Sequence, residues 1–154
     1  MNAIVEAFAF DEKKKGGVNL DGARGNYERY LQCACVSLAS LKQNNPVDEV
    51  IFVTNREIPE SYRSLLADKG VASEVVPFDD FVYPDDIQWG LAYYKLCALK
   101  KIVGSGKYDN VVLCDTDVWC QKPLRSFWNE VAGGHLHGGS PLERRLQRQT
   151  EHDG

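Results

Sequence analysis

The sequence predicts an α/β fold in which a mostly parallel sheet carries helices on both faces. Apolar, strand-like segments alternate along the chain with segments whose apolar residues recur at helical spacing. Such alternation with short connections builds right-handed β-α-β units. A hydrophobic share of 44% and a charged share of 26% over 154 residues are ordinary for a globular protein. A chain of this length has room for one sizeable core.

A strand over about 3–10 opens the predicted fold, and a polar, glycine-rich stretch follows over 11–25. The first helix is predicted from about Tyr27 to Asn44, with Asn26 as its N-cap. Pro46 ends it, because the residue before a proline is driven out of the helical region. The apolar residues on one stripe of this helix are Leu31, Ala34, Cys35, Leu38 and Leu41.

The middle of the chain predicts two more strands with a short helix between them. The strands cover about 49–54 and 72–77. The helix begins at Pro59, since proline suits the first helical position, and Gly70 suits its far end.

A third helix is predicted over about 87–103, after an acidic, aromatic loop, and it ends near Gly104. We expect its aromatic residues to be core packing and not a cofactor site. The residues at helical spacing are Trp89, Ala92, Tyr93, Leu96, Leu99, Lys100 and Val103. A fourth strand follows. Residues 1–130 are expected to form one domain, and the polar, glycine-rich stretch 131–154 is expected to be a disordered tail.

Composition excludes several classes of protein. A formal net charge of −4 gives no reason to expect a nucleic-acid partner. No apolar stretch approaches the roughly 20 residues that span a bilayer. Residues 1–10 lack a basic start, and Glu6 interrupts their apolar run, so we expect a strand there, no signal peptide and a cytoplasmic protein. The cysteines show no zinc spacing and are expected to be buried free thiols in a reducing compartment. They are Cys33, Cys35, Cys97, Cys114 and Cys120.

The strongest functional motif is the acidic triplet Asp115-Thr116-Asp117, which directly follows the apolar run 111–114. Four apolar residues predict a strand buried on both faces. Residues i and i+2 of a strand point the same way, so Asp115 and Asp117 are expected to share one divalent cation. Oxygen ligands favour Mg²⁺ or Mn²⁺. The alternative interpretation is an acidic turn at a strand end. In parallel sheets ligands bind beyond the carboxyl ends of the strands, where this triplet and the loop after the first strand both lie.

With these residues in hand, residues 3–130 resemble the nucleotide-sugar-dependent glycosyltransferases of the GT-A fold. They are most similar to glycosyltransferase family eight, the glycogenin-like group. The resemblance implies a Rossmann-like GT-A fold and metal-dependent transfer of a sugar from a nucleotide-diphosphate sugar, expected to be a UDP-sugar, to a hydroxyl acceptor. The matching segments are Tyr94-Lys95-Leu96, Tyr108 to Trp119, Pro123-Leu124, and the helix from Tyr30 to Ser40-Leu41-Lys42-Gln43.

The resemblance also implies roles for individual residues. Asp115 and Asp117 match the pair that binds Mn²⁺ (or Mg²⁺) and, through it, the donor diphosphate, with Thr116 between them in the donor site. Lys95 matches a lysine near the donor sugar and phosphates, and together with Asp115 it is the candidate catalytic residue. Tyr30 matches a tyrosine that packs on the nucleobase. Lys95 as a solvated helix charge and Tyr30 as a helix-packing aromatic are the alternative interpretations.

The chain departs from the family after the triplet. Family members continue through further strands and supply a histidine as a third metal ligand, whereas here a glycine-rich tail follows. His135 and His137 lie on that tail, and we do not expect them to bind the metal. A truncated glycosyltransferase is therefore expected. The alternative function is a truncated or catalytically inactive nucleotide-sugar-binding module.

Overall fold

The computed structural model describes residues 1–10, 24–81 and 90–132. In chain order the elements are β1 (Asn2–Phe8), α1 (Arg24–Asn44), β2 (Glu49–Thr54), α2 (Glu60–Asp68), β3 (Ala72–Val75), α3 (Tyr94–Gly104), β4 (Asn110–Cys114) and α4 (Arg125–Val131), with a 3₁₀ turn at Gly90–Tyr93. The predicted alternation of strands and helices is confirmed. The expectations for the loop after β1, for Trp89 and for the tail with His135 and His137 lie outside the described residues.

The four strands form one parallel sheet in the order β3-β2-β1-β4. The strand β1 is central and pairs with β2 on one side and with β4 on the other, where Glu6 lies opposite Cys114. From β1 the chain builds outward to β2 and β3, and it then returns to the other side of β1 with β4. The strand order therefore reverses between β1 and β4, which is where a parallel sheet opens a crevice at its carboxyl end.

Alternate residues of β1 face opposite sides of the sheet, and each side meets a helix. One face carries the hydrophobic core beneath α3, where the Tyr94 hydroxyl donates a hydrogen bond to the Val76 carbonyl at 2.9 Å. On the other face, Glu6 accepts a hydrogen bond from Ser37 of α1. The core on the α3 side includes Ala3, Val5, Ala7, Ile51, Val53, Tyr94, Cys97, Ala98 and Ile102. Helices on both faces were predicted and are confirmed.

The helix α1 begins at Arg24, earlier than the predicted start near Tyr27. Asn26 is therefore inside the helix, and the expectation that it is the N-cap is wrong. The predicted apolar stripe of α1 is confirmed as the buried side of this helix, including Leu31 at 1% and Leu38 at 0% exposure.

The short helix α2 has the predicted ends to within one residue. Pro59 is its N-cap and Glu60 its first residue. Gly70 adopts φ +74° just past the end, a conformation that favours glycine. The Gly70 N–H bonds the Ala67 carbonyl at 2.9 Å and the Val71 N–H bonds the Leu66 carbonyl at 3.0 Å, so the last carbonyls of the helix are satisfied. The strand β3 ends at Val75, two residues before the predicted limit.

The predicted buried side of α3 is wrong. Tyr93, Leu96 and Val103 are exposed, with 56% of Val103 open to solvent. The side that faces the sheet carries Tyr94, Cys97, Ala98 and Ile102 instead. Small side chains at 97 and 98 let the helix lie close to the sheet, and the Tyr94 hydroxyl finds a carbonyl there, so the tyrosine is buried at little polar cost.

The strand β4 is half-buried along its whole length, so the prediction of a strand buried on both faces is wrong. It lies at the edge of the described sheet, and only β1 pairs with it there. All five cysteines are free thiols, of which Cys35 and Cys97 are buried. Cys33 is exposed, contrary to expectation, because residues two apart on a helix point about 200° apart.

The chain divides into one compact unit of residues 1–124 and a second that begins at Arg125. In the second unit, the Phe127 and Trp128 rings of α4 meet edge to face at 5.5 Å. The predicted boundary at residue 130 stays a prediction. Within the described ranges, every helix is too short or too polar to cross a lipid bilayer.

Candidate functional site

The acidic triplet lies at the carboxyl end of β4, beside the point where the strand order reverses. The strand ends at Cys114, and residues 116 and 117 form a turn. The alternation rule of a strand therefore does not set the directions of Asp115 and Asp117, and that step of the prediction is wrong. Both carboxylates are exposed, and Thr116 is half-buried between them.

Lys95, in the first turn of α3, contacts this acidic turn directly. Its Nζ donates a hydrogen bond to Asp115 Oδ1 and forms an ion pair with it. The two residues are 20 positions apart in the sequence, and both were predicted to belong to the site. With 35% of the Lys95 side chain and 61% of the Asp115 side chain exposed, the pair is open to water and can exchange partners at little cost.

Tyr30 lies at the carboxyl end of the neighbouring strand β1. Its ring stacks on the Phe8 ring with centroids 5.6 Å apart and planes 24° apart. It belongs to a group of side chains that we call the rim cluster, namely Phe8, Phe10, Tyr27, Tyr30 and Arg56. Tyr30 therefore packs on Phe8 through one ring face, and its contact with a nucleobase stays a prediction.

Arg56 and Asn55, which directly follow β2, organise the other side of the rim cluster. The Arg56 guanidinium carbon lies 4.1 Å from the centre of the Phe10 ring and 5.4 Å from that of Tyr27. The Asn55 side chain accepts from the Phe10 N–H at 2.9 Å and donates to the Phe10 carbonyl at 3.0 Å, which fixes the backbone as it leaves β1. The sequence analysis missed both residues, although a polar pair directly after a buried strand was an available signal.

Glu6 is the most unusual residue near the site, because it is a carboxylic acid with 0% exposure in the central strand. Ser37 Oγ donates to Glu6 Oε1, and Oε2 has no hydrogen-bond partner among the described groups. Burial raises the pKa of Glu6 to about 8, against the smaller lowering effect of Ser37, and the negative charges of Asp117 and Asp115 raise it further. At neutral pH Glu6 is therefore mostly a neutral acid.

Cys114, opposite Glu6 in the β1–β4 ladder, is also kept neutral. Burial raises the pKa of its thiol to about 12, and the charges of Glu6, Cys120 and Asp115 add to the effect. A thiol in this state is a poor nucleophile and a poor metal ligand. The layer beneath the acidic turn thus carries protonated groups, while the turn itself carries the charged carboxylates.

The opposite, amino-terminal end of the sheet has its charges paired with each other. The Met1 amino group pairs with Asp109, and Lys107 Nζ lies 2.9 Å from a Glu49 carboxylate oxygen. The carboxyl end is the better candidate for ligand binding, because ligands of parallel sheets bind beyond the carboxyl ends of the strands, where the strand order reverses.

The rim offers two carboxylates, those of Asp115 and Asp117, as oxygen donors for a cation. In residues 1–10, 24–81 and 90–132, no three His, Cys, Asp or Glu side chains lie close enough together to hold a metal ion. The two exposed carboxylates of Asp115 and Asp117 remain as oxygen donors. Mg²⁺ commonly takes one or two carboxylates and fills its other positions with water and substrate phosphates.

Comparison with protein-family models gives no match for this chain, and comparison with curated proteins gives none either. The protein is an α/β protein with a parallel, Rossmann-like sheet. A functional assignment therefore has to be argued from the geometry at the carboxyl end of this sheet.

Proposed function

We propose that this chain is a metal-dependent glycosyltransferase of the GT-A fold. It transfers a sugar from a nucleotide-diphosphate sugar, with a UDP-sugar as the expected donor, to a hydroxyl acceptor. The observation that carries the proposal is the contact between Lys95 and Asp115 at the carboxyl end of β4. It joins a cationic and an anionic group at the place where parallel sheets bind phosphorylated ligands.

The three charged side chains divide the work at this rim. Asp115 and Asp117 are the groups that hold Mn²⁺ or Mg²⁺, which supplies charge neutralisation at the departing diphosphate. Lys95 releases Asp115 when the donor binds and offers its ammonium to the phosphate oxygens as a point charge. Because the Lys95–Asp115 pair is largely exposed, breaking it costs about 1 kcal/mol or less.

The rim cluster supports the nucleoside end of the donor. Tyr30 and Phe8 form a stacked pair at the end of β1, the strand next to the acidic turn. An aromatic ring that stacks on a base contributes about 1–3 kcal/mol. We therefore place the nucleobase against Tyr30 and the diphosphate against the acidic turn.

Binding of UDP-glucose is the direct test of the proposed function. In calorimetry, the wild-type protein is expected to bind UDP-glucose in the presence of Mn²⁺ and to lose that binding when EDTA removes the cation. UMP serves as the control ligand, since it lacks the second phosphate and should gain little from Mn²⁺. No binding of UDP-glucose in Mn²⁺, or equal binding in EDTA, would contradict the proposal.

Replacing Lys95 with methionine is expected to change two affinities in opposite directions. Affinity for Mn²⁺ alone should rise by up to about fivefold, because Asp115 loses a competing cation. Affinity for UDP-glucose in saturating Mn²⁺ should fall by roughly 10- to 150-fold, the equivalent of a charged hydrogen bond of about 1.5–3 kcal/mol. Separate titrations of the metal and the nucleotide measure both.

Lys100→Met is the matched control for this variant. Lys100 lies on the same helix and forms an exposed ion pair with Asp80 at 2.9 Å, away from the acidic turn. It should leave both affinities unchanged. A Lys95 variant that weakens Mn²⁺ binding would contradict the competition between Lys95 and the metal for Asp115. A variant that binds UDP-glucose as the wild type does would show that Lys95 does not contact the phosphates.

A nucleotide-sugar-binding module without transferase activity is the second candidate. The observation that favours it is the half-buried edge strand β4, because the strands of all-parallel sheets are ordinarily buried on both faces. Release of UDP in the presence of water or simple alcohols separates the two. Binding without any release of UDP favours the module.

A further inference from the structure

The segment that follows the acidic turn is tied to α1 by three side chains that we call the anchor: Ser40, Asn44 and Asn45. The Cys120 N–H donates to Ser40 Oγ at 3.0 Å, and Asn44 Nδ2 donates to the Cys120 carbonyl at 2.9 Å. Asn45 Oδ1 accepts from the Leu124 N–H at 2.7 Å. Side chains of α1 and the residue after it thus hold the backbone of this segment at two points.

The anchor is continuous with the buried interior. The Ser40 hydroxyl donates to the Ser37 carbonyl at 2.7 Å, and the Ser37 hydroxyl donates to Glu6. Ser37, Ser40 and Asn45 are 1%, 4% and 3% exposed. Buried polar groups of this kind are costly to disturb, because a lost partner leaves an unsatisfied group behind. The anchor is therefore a rigid point of attachment.

Within the described residues, the acidic turn is held at its two ends and by the contact between Lys95 and Asp115. On one side of it, Cys114 is held by the ladder to β1, and on the other side Cys120 is held by the anchor. Between these two points Asp115, Asp117 and Trp119 are exposed, with 65% of Trp119 open to solvent. The exposed side chains of Asp115, Asp117 and Trp119 thus add little packing to this turn, in which Thr116 and Val118 are half-buried.

We propose that Ser40 and Asn44 are positioning residues of the metal site, which fix the turn that carries Asp115 and Asp117 by holding Cys120. The inference rests on the proposed function, since it assigns these serine and asparagine side chains to the same site. Two carboxylates in one short turn repel each other, and a tethered turn keeps them together before a cation arrives. Less conformational entropy is then lost on binding.

Ser40→Ala tests this inference, because it removes the acceptor for the Cys120 N–H. We expect the amides of residues 115–120 to exchange with deuterium faster than in the wild type. We also expect affinity for Mn²⁺, measured by electron paramagnetic resonance on fully folded protein, to fall by about tenfold, as for residues that orient metal ligands. Ser40→Thr keeps the oxygen and should restore both properties.

Ser105→Ala is the matched control. The Ser105 hydroxyl also donates to a carbonyl three residues back, at 2.6 Å, and accepts from a backbone N–H, at 3.3 Å, but it lies in the turn before β4. It should leave Mn²⁺ affinity unchanged. If Ser40→Ala does not fold, Asn44→Ala takes its place, because Asn44 is only half-buried and binds the other polar group of Cys120.

The outcomes separate this inference from the proposed function. A wild-type protein that does not bind Mn²⁺ refutes the proposed metal site itself. If the wild-type protein binds Mn²⁺ and Ser40→Ala and Asn44→Ala bind it with the same affinity, the inference is overturned but the proposed metal site is not. Equal losses in Ser40→Ala and Ser105→Ala overturn it as well, since a general loss of stability would then explain the effect.

Discussion

Replacing Glu6 with glutamine is expected to remove a pH-dependent loss of stability. The free energy of unfolding of the variant, minus that of the wild type, should be about 4 kcal/mol larger at pH 8 than at pH 4.5. The reason is that burial raises the pKa of the folded-state carboxyl from its ordinary 4.5 to about 8. Glutamine has nearly the same shape, keeps an oxygen for Ser37 and cannot ionise.

The direction of the effect follows from which state holds the proton. Below pH 4.5 the Glu6 carboxyl is protonated in both the folded and the unfolded chain, so it adds no pH dependence. Between pH 4.5 and about 8 only the folded chain keeps the proton, and stability falls by about 1.4 kcal/mol for each pH unit. Above that range both states are ionised, and the loss stays constant.

Urea unfolding of wild type and Glu6→Gln at a series of pH values measures this difference. Glu57→Gln is the control, because the Glu57 side chain is 72% exposed and its replacement should leave the wild-type profile intact. Parallel profiles for wild type and Glu6→Gln would contradict the raised pKa of Glu6. The difference between the two curves isolates Glu6 from all other titrating groups.

Glu6 illustrates what a single sequence conveys and what it does not. A charged residue within the apolar run 3–10 was visible, and it argued correctly for a strand. Its burial depends on a hydroxyl from another element, Ser37, which is 31 residues away. Periodicity within one segment carries no information about such a partner, so the acid beneath the acidic turn emerged only from the fold.

The helices show the same division between local and tertiary information. The stripe of α1 was predicted correctly, because large aliphatic residues such as Leu31 and Leu38 mark its buried side. In α3, Leu96 and Val103 lie outside, whereas Tyr94 and Ile102 meet the sheet together with the small residues Cys97 and Ala98. Large apolar residues therefore occur on both sides of this helix, and residue size alone does not identify its buried side.

The candidate site was predicted where the motif is continuous in sequence and missed where it is assembled by the fold. Lys95 and Asp115 were predicted separately, and they are in contact. The half-buried edge position of β4 was not predicted, because an apolar strand has the same composition at the edge of a sheet as at its centre. Arg56, which follows β2, lies beside the rings of Phe10, which follows β1, and of Tyr27 in α1. Contacts between three separate segments of the chain cannot be read from the pattern within any one of them.

The double variant Asp115→Asn/Asp117→Asn is expected to lose Mn²⁺ binding by more than about a hundredfold, since even groups that only orient metal ligands contribute 10- to 100-fold. Mn²⁺-dependent binding of UDP-glucose should be lost with it. Both side chains are exposed, so the free energy of unfolding should change by no more than about 0.5 kcal/mol. Calorimetry with Mn²⁺ and with UDP-glucose, beside urea unfolding, measures all three.

The same variant has a second consequence that does not depend on the metal. Because the charges of Asp117 and Asp115 raise the pKa of Glu6, their removal should lower that pKa. The pH-dependent loss of stability should then still begin near pH 4.5 but end at a lower pH and be smaller in total. Asp109→Asn is the control for both effects. Asp109 precedes β4 at the opposite end of the strand, with a side chain 78% exposed and paired with the Met1 amino group. A double variant that keeps Mn²⁺ affinity but shifts the pH profile would place the two carboxylates beside Glu6 and remove them from any metal site.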